Sequence, residues 1–267
     1  EVFMFRDITC PQCGLCIKEC ILQNDAIKPT STGVQIDLSL CISCGHCTAV
    51  CPTDCMDNPL APREDLIDSI LSPEAAERFL RTPRSVRYYE DRPVDKATLL
   101  QLLNIGRYPQ TGENSQGIGY IVVSGRDKLK KINDLYCEIF RELPKDDPAY
   151  PYVEHTVWLQ EHYGHDALFY NAQHLILAVS DKDFSRGSKN AQFSLTFISL
   201  LAPSLGLGTC WIGLLEFLIC HEAYRDRFAS LIDIPADKKV CGCMITGYPA
   251  VHFRRLVERA PLQVEWR

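Results

Sequence analysis

Apolar and polar positions follow two different rhythms along this chain. From residue 83 onward they recur with the periods of regular structure. Spacings of three and four residues predict helices over 95–105, 127–141, 188–205 and 217–231, and short apolar runs predict strands over 119–124, 174–180, 209–213 and 239–247. The polar, proline-containing stretch 143–152 reads as a loop. This alternation implies a layered α+β or α/β domain, with no internal repeat. Before residue 58 there is no long periodic segment, as expected where bound metal rather than an apolar core holds the chain together. In between, 64–71 and 72–80 have helical spacing, and Ser72 followed by Pro73 reads as an N-cap with proline in the first turn. Residues 59–82 are therefore read as a structured linker.

The stretch 193–215 carries no charged residue and is long enough to span a bilayer on length alone. Pro203, Gly206 and Gly208 interrupt it. They predict instead a buried helix ending near Leu205, a turn and a short apolar strand, hence a soluble chain with no membrane partner. The 267 residues are 46% hydrophobic, enough for a sizeable core, and the net charge of −6 argues against a basic stripe that would track a phosphate backbone. Nucleic acid is thereby excluded as a partner. The opening residues 1–7 lack a charged segment followed by an apolar one, so a cytoplasmic, reducing setting is expected.

That setting changes how the fourteen cysteines are read, nine of which fall between Cys10 and Cys55. Cys10, Cys13, Cys16 and Cys20 form one CxxCxxCxxxC run; Cys41, Cys44, Cys47 and Cys51, followed by Pro52, form a second. Disulfides or paired zinc knuckles leave the third and fourth cysteines of each run unexplained. In bacterial-type ferredoxins three closely spaced thiolates wrap one 4Fe-4S cluster and the fourth reaches the other cluster. On that rule Cys10, Cys13, Cys16 and Cys51 hold one cluster, and Cys41, Cys44, Cys47 and Cys20 the second. Ile17, Ile42 and Val50 would shield them, with backbone amides donating to sulfur. Ile21 stands where the first run would have its trailing proline. Cys55 reads as structural, and Cys137, Cys210, Cys220, Cys241 and Cys243 as small core hydrophobes.

In the second region, Arg84, Ser85 and Arg87 offer two guanidinium forks and a hydroxyl to a phosphate, although by itself such a group is more often solvated surface. The pattern continues with Asn114, Ser115 and Gln116 ahead of a strand, and with LGLGTCWIG over 205–213 after a buried helix. The set resembles the nitroreductase family from about Arg84 to Trp266. The resemblance implies an α+β fold, with a central, mainly antiparallel sheet flanked by helices and FMN as cofactor. It assigns Arg84, Ser85 and Arg87 to the phosphate or ribityl chain, Asn114 and Gln116 to the isoalloxazine ring, and Trp211, Ile212 and Gly213 to the ring face. Arg259, ahead of Pro261, resembles the family's late phosphate-binding arginine, with Arg255 a second. Pro83 and Gly213 depart from residues common in the family, an arginine and a glutamate.

The expected organisation is a two-cluster ferredoxin-like domain over 1–58, the linker 59–82 and an FMN domain over 83–267. The resemblance further implies a homodimer with FMN at the subunit interface, in which residues 262–266, alternating as an edge strand would, join the partner's sheet. Electrons would pass from a ferredoxin or another donor protein through the clusters to flavin and then to a small electron-poor acceptor such as a nitroaromatic or quinone. In the alternative, NAD(P)H is the donor and the clusters are an outlet; a non-enzymatic carrier or redox sensor is a third reading. The GxG triplets at Gly117 and Gly206 do not complete a dinucleotide-binding fingerprint, but family members stack nicotinamide over the flavin without one. No catalytic residue is assigned, since His155, His162, His165 and His221 have no fixed partner in sequence. Pocket walls are expected around 127–141, Tyr150, Tyr152, Phe169 and Tyr170.

Overall fold

The structure, a computed structural model, describes residues 4–5, 9–62 and 71–267. The helical expectation over 64–71 lies almost wholly outside the described residues. The chain forms two compact units, one comprising Glu1–Leu71 and Thr111–Ser115, the other Ser72–Gln110 and Gln116–Arg267.

The first unit contains strand β1 (Met4–Phe5), helix α1 (Leu15–Glu19), strands β2 (Ile27–Pro29) and β3 (Val34–Ile36), helix α2 (His46–Ala49) and strand β4 (Met56–Asp57). β1 pairs antiparallel with β4 and β2 with β3, the latter in the register Ile27 to Ile36. Both short helices start after a left-handed glycine, Gly14 at φ 70° and Gly45 at φ 78°. Two residues earlier, Gln12 and Ser43 also have left-handed backbones, each at φ 52°. The duplicated cysteine spacing is thus a duplicated backbone. Its apolar core is small: Cys16, Ala26, Ile27, Cys47, Cys55 and Met56.

The second unit begins with α3 (Pro73–Leu80), whose N-cap Ser72 accepts from the Ala75 amide at 3.3 Å, as the sequence predicts. α4 (Lys96–Asn104) follows, capped by Asp95 through the Thr98 amide at 2.9 Å. Then come β5 (Gly119–Ser124), α5 (Arg126–Glu142), α6 (Tyr150–Tyr163), β6 (His174–Asp181), α7 (Gly187–Leu201), β7 (Gly208–Trp211), α8 (Gly213–Ile219), α9 (Arg225–Ile232) and β8 (Lys238–Gly247). The four strands lie in the order β5-β6-β8-β7, each neighbour antiparallel. Helices cover both faces. Side chains of β6 alternate between two cores: Leu175, Leu177 and Val179 pack with α5, α6, α8 and α9, and Ile176 and Ala178 pack with α4 and α7. The class is α+β, as expected.

Two expectations need correction. Residues 143–152 are not wholly a loop, because α6 starts at Tyr150; its buried stripe is only Val153, Thr156 and Val157, too narrow to stand out as a period. The helix expected over 217–231 is two helices. Between them His221 interrupts: its Nδ1 accepts from the Ala223 amide at 3.2 Å and its Nε2 lies 3.1 Å from Asp147, a local bond that competes with helical continuation. Among the described residues of this one chain 262–266 pairs with no strand, and Leu262, Val264 and Trp266 are exposed, while the expectation for this segment concerns a partner subunit's sheet. The uncharged stretch, by contrast, follows the reading: α7 passes into a tight turn over Ala202–Leu205, ended by left-handed Gly206, before β7. Among the described residues no helix is long and apolar enough to cross a membrane.

Candidate functional site

The first unit sets four of its cysteines around enclosed space rather than around a point. One cavity is lined by Cys41, Cys44 and Cys47 of the second run together with Cys20 of the first, closed by Ile21, Ile27 and Ile42. Among the described residues no three Cys, His, Asp or Glu side chains converge closely enough for a single ion. A polynuclear cluster, whose ligands stand apart around a cage, fits this arrangement. The backbone supplies donors: the Gln12 amide lies 3.4 Å from Cys10 Sγ and the Ser43 amide 3.4 Å from Cys41 Sγ. Burial pushes the Cys47 thiol up to about 11, so without metal it keeps its proton and iron would displace it. Burial also pulls on Cys51, but the Thr53 and Cys55 amides and the Cys55 thiol outweigh it and hold the Cys51 pKa low. Buried Cys55 sits with its sulfur 3.5 Å from Cys51 Sγ and close enough to Cys10 to feel its charge. It therefore marks where the fourth cysteine of the second run approaches the start of the first.

In the second unit the chain at Ser85 makes an isolated parallel bridge to Thr209, and the Val86 amide donates to the Thr209 carbonyl at 2.9 Å. This fixes 84–87 along the free edge of β7. Gly208 makes the approach feasible, since a Cβ there would stand 2.5 Å from a Val86 methyl. Beside this seam lies a cavity of about 240 Å³ lined by Arg84, Ser85, Thr196, Trp211, Met244 and Arg259, among others. Two guanidinium groups from opposite ends of the unit, a hydroxyl and an indole meet there. Arg84 Nη1 is engaged by the Arg81 and Pro83 carbonyls at 2.6 and 2.7 Å, while its buried Nε has no hydrogen-bond partner among the described residues. A buried cationic donor left open is what an anionic group such as phosphate completes.

The remaining expected residues are placed elsewhere. Arg87 is exposed, its guanidinium 5.9 Å above the Tyr170 ring. Arg255 lines an adjoining cavity of about 530 Å³ that Arg84 also borders. Ile212 is buried in the core and Gly213 opens α8, so of these three residues Trp211 alone lines the 240 Å³ cavity. The Gln116 carbonyl accepts from Asn190 at 2.9 Å. Asn114 lies in the first unit, its side-chain amide donating to the Ile42 and Ser43 carbonyls at 3.1 Å each. Thr196 and Met244 were not singled out from sequence. Thr196 is a polar residue in an otherwise uncharged helical run, a faint signal; Met244 gave none.

Comparison with known proteins matches residues 80–248 to the nitroreductase family model and residues 34–57 to a 4Fe-4S binding domain. The chain belongs to the nitroreductase family. It is an oxidoreductase of that type carrying a ferredoxin-type 4Fe-4S domain at its N-terminal side, as the sequence motifs led one to expect. A relative from Archaeoglobus fulgidus, named for NADH dehydrogenase/NAD(P)H nitroreductase activity, is 23% identical over 180 residues, 64% of this chain and 84% of its own length. Among solved structures, a nitroreductase with bound FMN from Bacteroides fragilis is 21% identical, with a TM-score of 0.57 over 71% of this chain and 97% of its own. A nitroreductase with bound FMN from Desulfitobacterium hafniense is 17% identical, also with a TM-score of 0.57, over 73% of this chain and the whole of its own. At these identities the structures establish the shared fold.

Proposed function

We propose that this protein is an FMN-dependent oxidoreductase that receives single electrons at two 4Fe-4S clusters in its N-terminal domain, residues 1–58, and delivers them to a small electron-poor acceptor at an FMN site in residues 83–267. The observation that carries the reading is the cavity shared by Arg84, Ser85, Trp211 and Arg259, with its buried Arg84 Nε that finds no hydrogen-bond partner among the described residues. Arg84 and Arg259 would hold the FMN phosphate, Ser85 would add a hydrogen bond, and Trp211, supported by Ile212 and Gly213, would face the ring. Arg87, Arg255, Asn114 and Gln116 stand outside this cavity and are assigned no direct contact from geometry. When bound, FMN supplies both one- and two-electron chemistry, so it joins a one-electron source to a two-electron acceptor. The protein's part is to fix the cofactor and to place positive charge where a reduced flavin is negative.

The ligand sets proposed for the clusters are crossed, Cys10, Cys13, Cys16 and Cys51 for one and Cys41, Cys44, Cys47 and Cys20 for the other. The cavity lined by Cys20 with three cysteines of the second run supports the second set, and the shared neighbour Cys55 supports the first. A ferredoxin-type protein is the proposed donor, the active form a homodimer and the compartment the cytoplasm. NAD(P)H as donor, with the clusters as an outlet, is favoured by the name of the Archaeoglobus relative.

The test is anaerobic purification with iron, sulfide and FMN quantified, followed by separate titration with NADH, NADPH and reduced ferredoxin. Rapid flavin reduction by ferredoxin alone supports the proposed direction, and reduction by NAD(P)H alone supports the second reading. Arg84→Ala and Arg259→Ala should each raise the FMN dissociation constant by about tenfold or more, the worth of one charge-assisted hydrogen bond. Absence of FMN from the wild-type protein would sink the assignment.

A further inference from the structure

The two cysteine runs are near copies, and they differ in what holds them. In each, the residue before the second cysteine takes a left-handed backbone, Gln12 and Ser43 at φ 52°, and turns its amide toward the sulfur of the first cysteine. Neither residue is glycine, so each conformation costs about 1 kcal/mol or more and persists only where the surroundings enforce it. Gln12 enforces its own: its side-chain amide donates to the Ser31 carbonyl at 2.8 Å, bracing the first run against the turn between β2 and β3. Serine is too short for such a bridge. At the second run the brace comes from the other partner of the peptide bonds, because the Ile42 and Ser43 carbonyls both accept from Asn114 Nδ2 at 3.1 Å. Two carbonyl acceptors use both donors of the amide and fix which end of it is nitrogen.

Asn114 is itself held in an unusual conformation, at φ 52° directly after Glu113 at φ 56°. Its five-residue segment Thr111–Ser115 groups with the cysteine-rich unit, although the chain on either side belongs to the second unit. A segment inserted from distant sequence, carrying two consecutive left-handed non-glycine residues, thus ends in an amide that grips the loop between two cysteines. We propose that Asn114 is a positioning residue for the cluster bound through Cys41 and that it sets the reduction potential of that cluster by holding the Ser43 amide on Cys41 sulfur. This inference rests on the reading that Cys41, Cys44 and Cys47 bind a 4Fe-4S cluster. The flavin-ring contact that the family resemblance implies for Asn114 is the competing reading.

The physical link is charge. Reduction adds an electron to the cluster, and an amide aimed at a ligand sulfur stabilises the more negative state, so losing that donor lowers the potential. In Asn114→Ala, Ser43 is released toward the ordinary left half of backbone space and its amide turns from the sulfur. Gln12→Ala should do the same to the cluster bound through Cys10.

The experiment is an EPR-monitored redox titration of the anaerobically purified holoprotein, wild type and both variants, with iron and FMN content measured on the same samples. Asn114→Ala is expected to make one cluster harder to reduce by about tenfold in its reduction equilibrium, comparable to one hydrogen bond to a charged group, with the other cluster and the FMN content unchanged. Gln12→Ala is expected to move the opposite cluster. Selective loss of iron from one cluster in Asn114→Ala also supports the brace. Unchanged potentials with reduced FMN content would return Asn114 to the flavin, and equal displacement or loss of both clusters would show that its role is not local; either result overturns the proposal. A wild-type protein without iron fails earlier, at the cluster reading itself.

Discussion

Glu216 carries a carboxylate into the interior of the second unit, where it accepts from the Cys243 amide at 2.6 Å. Burial raises its pKa from 4.5 to about 6, only partly offset by that amide and by a hydrogen bond from Trp211. Because folding raises this pKa, its contribution is fully present below the unfolded value and is lost as pH climbs through about 6. Over that window the protein should lose about 1 to 2 kcal/mol on this account, one pKa unit being about 1.4 kcal/mol. Thermal unfolding of Glu216→Gln between pH 5 and 8 should show a flatter pH dependence than wild type, and an unaltered slope would place the charge elsewhere. Such a residue is invisible to pattern reading, since a lone glutamate in an apolar run carries no mark of burial. The eight cysteines of the two CxxCxxCxxxC runs are the opposite case, because their pattern is written in local spacing and needs no knowledge of the fold.

At the scale of elements, the seam between residues 84–87 and β7 decides whether the arginine cavity exists. Gly208 and Val86 occupy one volume there, and a methyl group at 208 must push the segment away. Gly208→Ala should cost about 1 to 3 kcal/mol, the range for overpacking, and should weaken FMN retention. Adding Val86→Ala should restore much of both, the signature of two residues coupled through shared space. Chemical denaturation and FMN titration of the two single variants and the double would check this, and additive losses would refute the shared-volume account. Strands β5, β6, β7 and β8 were legible to within a residue or two because buried sheet strands are short apolar runs. Helix α6 was not, because its buried stripe is narrow, nor was the break at His221, because a side-chain nitrogen accepting a backbone amide leaves no periodic trace.

At the scale of the molecule, the two units are held by different forces. Among the described residues the first has a cluster of six buried apolar residues, three of them cysteine, whereas the second has a core on each face of its sheet. Oxidative removal of iron with a chelator should therefore abolish amide-exchange protection over 9–62 and leave the amides of β6 and β8 protected. Persistent protection of 9–62 would mean that the apolar core suffices. The iron-sulfur motif, the two-part organisation and the family pattern of the second part could be read without a fold, because each is written in local spacing or in residue types that appear in order along the chain. So could the α+β class, through periods that reflect which faces are buried. It took the folded chain to bring Arg84 and Arg259 to one cavity, with Arg255 on an adjoining one and Arg87 exposed beside Tyr170, and to set the Asn114 amide on the second cysteine run. Those meetings join residues far apart in sequence, and contacts of that kind depend on how strands register and where glycine lets segments approach, which no single stretch of sequence records.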